Sequence, residues 1–96
     1  MKGFTTKIVH SDRLDVVEHG SLHKPIHATV AYGYDKAEDL AAVFQGTQAG
    51  FTYGRQVNPT IEALQTKISK MENGLQTVCF STGMAAIGSM LFALLR

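Results

Sequence analysis

Thr77 to Arg96 constrains the fold more than any other part of the chain. Thr77-Val78-Cys79-Phe80 reads as a short buried strand, and Ser81-Thr82-Gly83 turns directly into a run from Met84 to Leu95 that is apolar almost all round. A helix of that kind must be covered on most sides, and a lone strand needs neighbours to form a sheet. Two other helices are available upstream, and both are amphipathic. The expectation is therefore an α/β body of which this chain is the first part, with Arg96 arriving before any Gly, Asn or Pro that would close the last helix.

Upstream of that unit the signals divide into an irregular half and a regular one. Residues 1 to 34 show no helical period and carry Gly3, Gly20, Pro25 and Gly33, so they read as an extended arm. Asp35 is placed to cap a short helix over Lys36 to Phe44, with Glu38 and Asp39 in its first turn, Gly46 past its end, and Leu40, Val43 and Phe44 as its buried stripe. Phe51 to Arg55 reads as a short extended stretch. Asn58-Pro59 is a strong helix start, because the Asn side chain accepts an orphan N–H and proline at the first position has none to waste. Ile61, Leu64, Ile68 and Met71 then share one face, and Asn73-Gly74 supplies a left-handed stop.

Nine Lys and Arg against eight Asp and Glu leave a net charge of +1, which provides no excess field for nucleic acid or an anionic membrane. The longest apolar run, Met90 to Leu95, is far below the roughly 20 residues that span a bilayer, and the N-terminus lacks a signal-peptide hydrophobic region. A cytoplasmic protein is expected, without nucleic-acid or membrane partners. Cys79, the single cysteine, reads as a small buried apolar residue. His19, His23 and His27 recur every four residues, but Gly20 and Pro25 break the helix that would align them, so no metal site is expected.

Two places could hold an anion. The N-terminus of the last helix offers unpaired amides and a partial positive charge at Ser81-Thr82-Gly83-Met84, where Gly83 allows close approach of the backbone. Plain helix capping accounts for the same residues equally well. In Tyr53-Gly54-Arg55 a phenol and a guanidinium two residues apart on an extended segment point to one side, a pair suited to a phosphate. A surface position with a casual ion pair is the competing reading. Neither G-x-G-x-x-G nor G-x-x-x-x-G-K-[ST] occurs, so NAD and ATP are not favoured.

Taken in order, Phe51 to Thr60, Glu72-Asn73-Gly74 and Ser81-Thr82-Gly83-Met84-Ala85-Ala86-Ile87 resemble the N-terminal quarter of the Cys/Met-metabolism family of pyridoxal-phosphate enzymes. That family includes cystathionine gamma-synthase, O-acetylhomoserine sulfhydrylase and methionine gamma-lyase. Thr6 to His10 and Pro25 to Thr29 resemble its arm more loosely. Thr82 stands where the family usually has serine, and His27 where it often has tyrosine or tryptophan.

The resemblance implies a fold-type I α/β enzyme of the aspartate-aminotransferase-like kind. Residues 1–57 would form an arm reaching a neighbouring subunit, and 58–96 the start of the cofactor-binding large domain. Pyridoxal 5'-phosphate is the implied cofactor, with Thr82, Gly83 and Met84 at its phosphate and Tyr53 and Arg55 reaching the phosphate of a second subunit in a homodimer or homotetramer. The implied activity is gamma-replacement on O-acyl-homoserine, an amino-acid substrate, with a gamma-lyase or a non-catalytic interaction module as alternatives. No catalytic residue is assigned within these 96 residues: the family's cofactor-bearing lysine lies beyond the stretch that matches, and Lys67 and Lys70 read as solvated.

Overall fold

The structure, a computed structural model, describes residues 3–11 and 18–95. Four α-helices follow in order: α1 Phe4–His10, α2 Ala37–Phe44, α3 Pro59–Met71 and α4 Gly83–Leu94, with a 3-10 turn at Glu18–Gly20 between the first two.

The best-specified helix is α3. Asn58 is extended (φ −128°, ψ 134°), and its Oδ1 accepts from the amides of Thr60 at 2.9 Å and Ile61 at 3.4 Å, with Pro59 opening the helix. At the other end Asn73 takes the left-handed conformation (φ 52°), and the Gly74 amide donates to the Ser69 carbonyl at 2.9 Å. That six-to-one bond satisfies a carbonyl the last turn would otherwise leave open.

The reading of residues 1–34 as an arm without helix is corrected at α1. Seven residues rich in Thr, Ile and Val have little helical tendency of their own, so a helix here depends on what it packs against. Its partner is α3. The Lys7 Nζ donates to Asn73 Oδ1 at 2.8 Å, tying α1 to the residue that ends α3. Ala63 on α3 is the buried apolar side chain among the described residues, and Ser11, just past α1, is fully buried with its hydroxyl on the Ile8 carbonyl. From residue 21 to 34 the arm is irregular, as expected.

Asp35 does not cap α2. The helix begins one residue later than expected, with Lys36 extended at the cap position and no side chain accepting there. Glu38 and Asp39 still sit in the first turn, where they complement the helix dipole. Gly46 (φ 78°) ends the helix: its amide donates to the Val43 carbonyl at 3.1 Å while the Thr47 amide returns to Ala42 at 3.0 Å. Leu40 and Val43 are half-buried, but Phe44 is exposed, so the expected stripe is incomplete.

No strand ladder forms among the described residues, and the predicted strand at Thr77 to Phe80 has no paired neighbour there. One isolated antiparallel bridge joins Ala31 to Tyr53. Cys79 is half-buried rather than buried. The hydroxyls of Ser69 and Thr77 hydrogen-bond at 2.7 Å and hold the segment after α3 against that helix. α4 keeps its apolar side chains largely uncovered, with Met84 75% and Phe92 90% exposed. The radius of gyration, 15.7 Å, exceeds the ~13 Å of a compact domain of this size, in line with so little burial. None of the described helices is long and apolar enough to cross a membrane.

Candidate anion site

The N-terminus of α4 is built by Thr82. Its backbone is extended (φ −142°, ψ 155°), its Oγ1 accepts from the Ala85 amide at 3.0 Å, and its carbonyl accepts from Ala86 at 3.2 Å. Capping, one of the two readings open for this turn, is therefore present. It uses the hydroxyl as an acceptor only, leaving its proton able to donate elsewhere. The amides of Gly83 and Met84 have no partner among the described residues, and both residues are exposed. A Cβ placed on Gly83 would meet nothing within 4 Å, so the approach to these amides is open. With the α4 dipole behind them, the two amides and the hydroxyl can serve a single anion.

The second half lies on the loop after α2. The Tyr32 amide donates to the Thr52 carbonyl at 3.2 Å, and the Gly54 amide donates to the Val30 carbonyl at 2.7 Å, flanking the Ala31–Tyr53 bridge. These bonds dock the extended residue Tyr53 on the arm. The chain then turns, with the amides of Gln56 and Val57 both donating to the Tyr53 carbonyl at 3.0 and 3.1 Å. Arg55 sits in this turn with its guanidinium carbon 5.1 Å from the centre of the Tyr53 ring. A cation over the ring face is held there electrostatically while its N–H edges remain able to donate. Tyr53 and Arg55 are both exposed. The expected extended stretch is corrected beyond Tyr53: Gly54 to Gln56 form a turn, and the guanidinium is brought back against the Tyr53 ring instead of lying beside the phenol on one side of an extended segment.

Among the described residues no hydrogen bond, ion pair or ring contact joins Tyr53 or Arg55 to Thr82, Gly83 or Met84. The five predicted residues thus form two separate donor clusters within one chain. A third feature was not anticipated: Thr52 Oγ1 donates to Gln56 Oε1 at 3.0 Å, closing the turn that carries Arg55. Its signal in the sequence is only a Thr and a Gln four residues apart around the Tyr-Gly-Arg tripeptide.

His27 belongs elsewhere. Its amide donates to Thr60 Oγ1 at 2.7 Å and its carbonyl accepts from Asn58 Nδ2 at 3.0 Å, so the arm is pinned to the start of α3 at this residue. Its Nε2 is 3.7 Å from Glu18 Oε1, and its Nδ1 is buried without a partner. The ring lines an open cavity of about 870 Å³ that it shares with Lys24, Tyr32, Phe51 and Glu62. None of the five predicted anion-binding residues lines that cavity. His19 takes a left-handed conformation (φ 56°) in the 3-10 turn. On α3, Lys70 is exposed as expected while Lys67 is half-buried.

Comparison with known proteins is consistent across the chain. It is 34% identical over 94 residues to an L-methionine gamma-lyase of Pseudomonas deceptionensis, covering 98% of this chain and 24% of that protein. It is 36% identical over 97 residues to the L-methionine gamma-lyase of Pseudomonas putida, covering 100% of this chain and 24% of that one. An O-acetyl-L-homoserine sulfhydrylase of Corynebacterium glutamicum is 34% identical over 84 residues, 88% of this chain and 19% of the relative. The chain thus spans about a quarter or less of the length of these relatives. The family model for Cys/Met metabolism PLP-dependent enzymes matches residues 5–96. With nearly every residue inside that match, the chain belongs to the Cys/Met metabolism family of pyridoxal-phosphate-dependent enzymes.

Proposed function

We propose that this chain supplies the phosphate-anchoring segment of a pyridoxal-phosphate enzyme of sulfur amino-acid metabolism that works at the gamma carbon of its substrate. Residues 1–57 act as an arm toward a neighbouring subunit, and residues 58–96 begin the cofactor-binding large domain. The observation that carries this reading is the open pair of amides at Gly83 and Met84, at the start of an α-helix in a member of a family named for this cofactor. The donor set fits a phosphate: two amides and the Thr82 hydroxyl on one side, and the Arg55 fork with the Tyr53 phenol on the other. Two copies of the chain bring the halves together, Tyr53 and Arg55 of one subunit serving the phosphate held at Gly83 and Met84 of the next.

When bound, the cofactor draws electrons from an amino-acid substrate so that a group on its gamma carbon can leave. The role of this chain's own residues is to hold and orient the phosphate end, against which the remainder of the site is aligned. Gamma-replacement on an O-acyl-homoserine, as in a cystathionine gamma-synthase or an O-acetylhomoserine sulfhydrylase, is the activity we favour. Gamma-lyase action is the second reading, favoured by the several methionine gamma-lyases among the relatives.

Equilibrium binding of pyridoxal phosphate and of phosphate-free pyridoxal to the intact protein tests the assignment. Arg55→Ala is expected to lower affinity for the phosphorylated form about ten- to hundredfold, the cost of one charge-assisted contact, and to leave pyridoxal unaffected. Unchanged affinity for pyridoxal phosphate would overturn the role of Arg55.

A further inference from the structure

We propose that Thr52 and Gln56 form a side-chain clasp that positions Arg55 for anion binding, an inference that rests on the phosphate role of Arg55 argued above. The turn carrying Arg55 is held to the arm on both sides, by the bonds of the Tyr32 and Gly54 amides before Arg55 and by those of Asn58 and Thr60 to His27 after it, and none of these bonds is made by Arg55 or Gln56. Within the turn, the Tyr53 carbonyl gathers the amides of Gln56 and Val57, which fixes the path of the backbone. The hydrogen bond from the Thr52 hydroxyl to the Gln56 side-chain oxygen Oε1 at 3.0 Å joins the residues flanking Tyr53-Gly54-Arg55. It is the side-chain tie across this tripeptide among the described residues.

The consequence is entropic. Arg55 is exposed, and an exposed arginine loses much rotamer and backbone freedom when it grips a ligand. The Tyr53 ring restrains the guanidinium from one side, and the clasp restrains the backbone from which it springs. Part of the ordering cost is thereby met before the anion arrives. Thr52 and Gln56 need not touch the phosphate, so they are positioning residues. Their effect should appear in the preference for phosphorylated over unphosphorylated cofactor.

The test measures the ratio of affinities for pyridoxal phosphate and pyridoxal in the intact protein, with thermal unfolding of every variant alongside. Thr52→Val, which removes the donor, and Gln56→Leu, which removes the acceptor, are each expected to lower the ratio about three- to tenfold, the range of one ordinary hydrogen bond. The double variant should be no worse than either single one, because both break the same bond. Thr52→Ser keeps the hydroxyl and should keep the ratio. If Thr52→Val and Gln56→Leu retain the parent ratio while Arg55→Ala loses it, the clasp is overturned and the phosphate role of Arg55 stands. If Arg55→Ala also retains it, both fall. A loss that Thr52→Ser fails to rescue, or that follows the unfolding temperature instead of the phosphate, likewise overturns the clasp.

Discussion

The Tyr34 phenol donates to the Phe51 carbonyl at 2.7 Å, through the space that a side chain on residue 50 would occupy. A Cβ on Gly50 would lie 2.5 Å from that phenol oxygen and 3.0 Å from Val43 Cγ2. The segment before α2, the end of α2 and the segment leading to Tyr53 therefore meet at a glycine whose value is the absence of a side chain. Phe51 is fixed on its other side by Tyr32, whose ring lies 5.7 Å away. The tripeptide Tyr53-Gly54-Arg55 begins three residues beyond Gly50.

Gly50→Ala is expected to destabilise the protein by about 1–3 kcal/mol, since the phenol must leave its carbonyl or the helix must shift. Tyr34→Phe alone should cost about 1 kcal/mol. Combined, the two should cost less than their sum, because without the hydroxyl the closest obstruction to the new methyl is gone. Urea unfolding of the four proteins checks this, and strict additivity would count against the shared contact.

Asn58 joins two parts of the chain with one side chain: its oxygen caps α3 while its nitrogen donates to the His27 carbonyl at 3.0 Å. Asn58→Ala loses both roles and should cost about 2–3 kcal/mol. Asn58→Asp keeps the cap and favours the helix dipole but sets a carboxylate oxygen against the His27 carbonyl where a donor stood, so it should keep helix content while still destabilising by about 1–3 kcal/mol. Helix content and unfolding free energy together separate the two losses.

At the far end of α3 the left-handed Asn73 accepts from Lys7. Lys7→Ala should cost no more than about 1 kcal/mol, because the bond is exposed. Asn73→Gly retains the backbone conformation and should resemble Lys7→Ala, whereas Asn73→Ala adds the strain of a positive φ, about another 1 kcal/mol. Chemical denaturation of the three variants distinguishes lost contact from lost conformation.

Gly83→Ala separates fold from ligand. The space around Gly83 is open and alanine is the better helix former, so stability should stay within about 0.5 kcal/mol or rise. Affinity for pyridoxal phosphate should fall relative to pyridoxal if the methyl meets the phosphate held at these amides. Equal affinities for parent and variant would place the phosphate elsewhere.

How much of this was legible in residue order differs from element to element. Asn58-Pro59 announces the start of α3 because capping is a contact between neighbours in sequence, and that cap is present as read, while at Thr82-Gly83 capping, one of the two readings left open, is present. The left-handed end of α3 at Asn73 was legible for the same reason. Asp35 misled, because a capping residue and a helix start one position later are nearly equivalent locally, and the chain adopts the later start. Helix α1 was invisible: Phe4 to His10 has weak intrinsic preference, and its support comes from α3 and from Asn73, 66 residues away.

The amino-acid order by itself determined the family signature and the amide-bearing helix start at Thr82 to Met84, since each depends on residues within a few positions of one another. Tertiary structure decided that the arm folds back through His27 and Lys7 onto both ends of α3, that Tyr34 must cross Gly50, and that Thr52 reaches Gln56 across a turn. Those contacts depend on where distant segments meet and which way a turn closes, and their strength comes from geometry that only the folded chain provides.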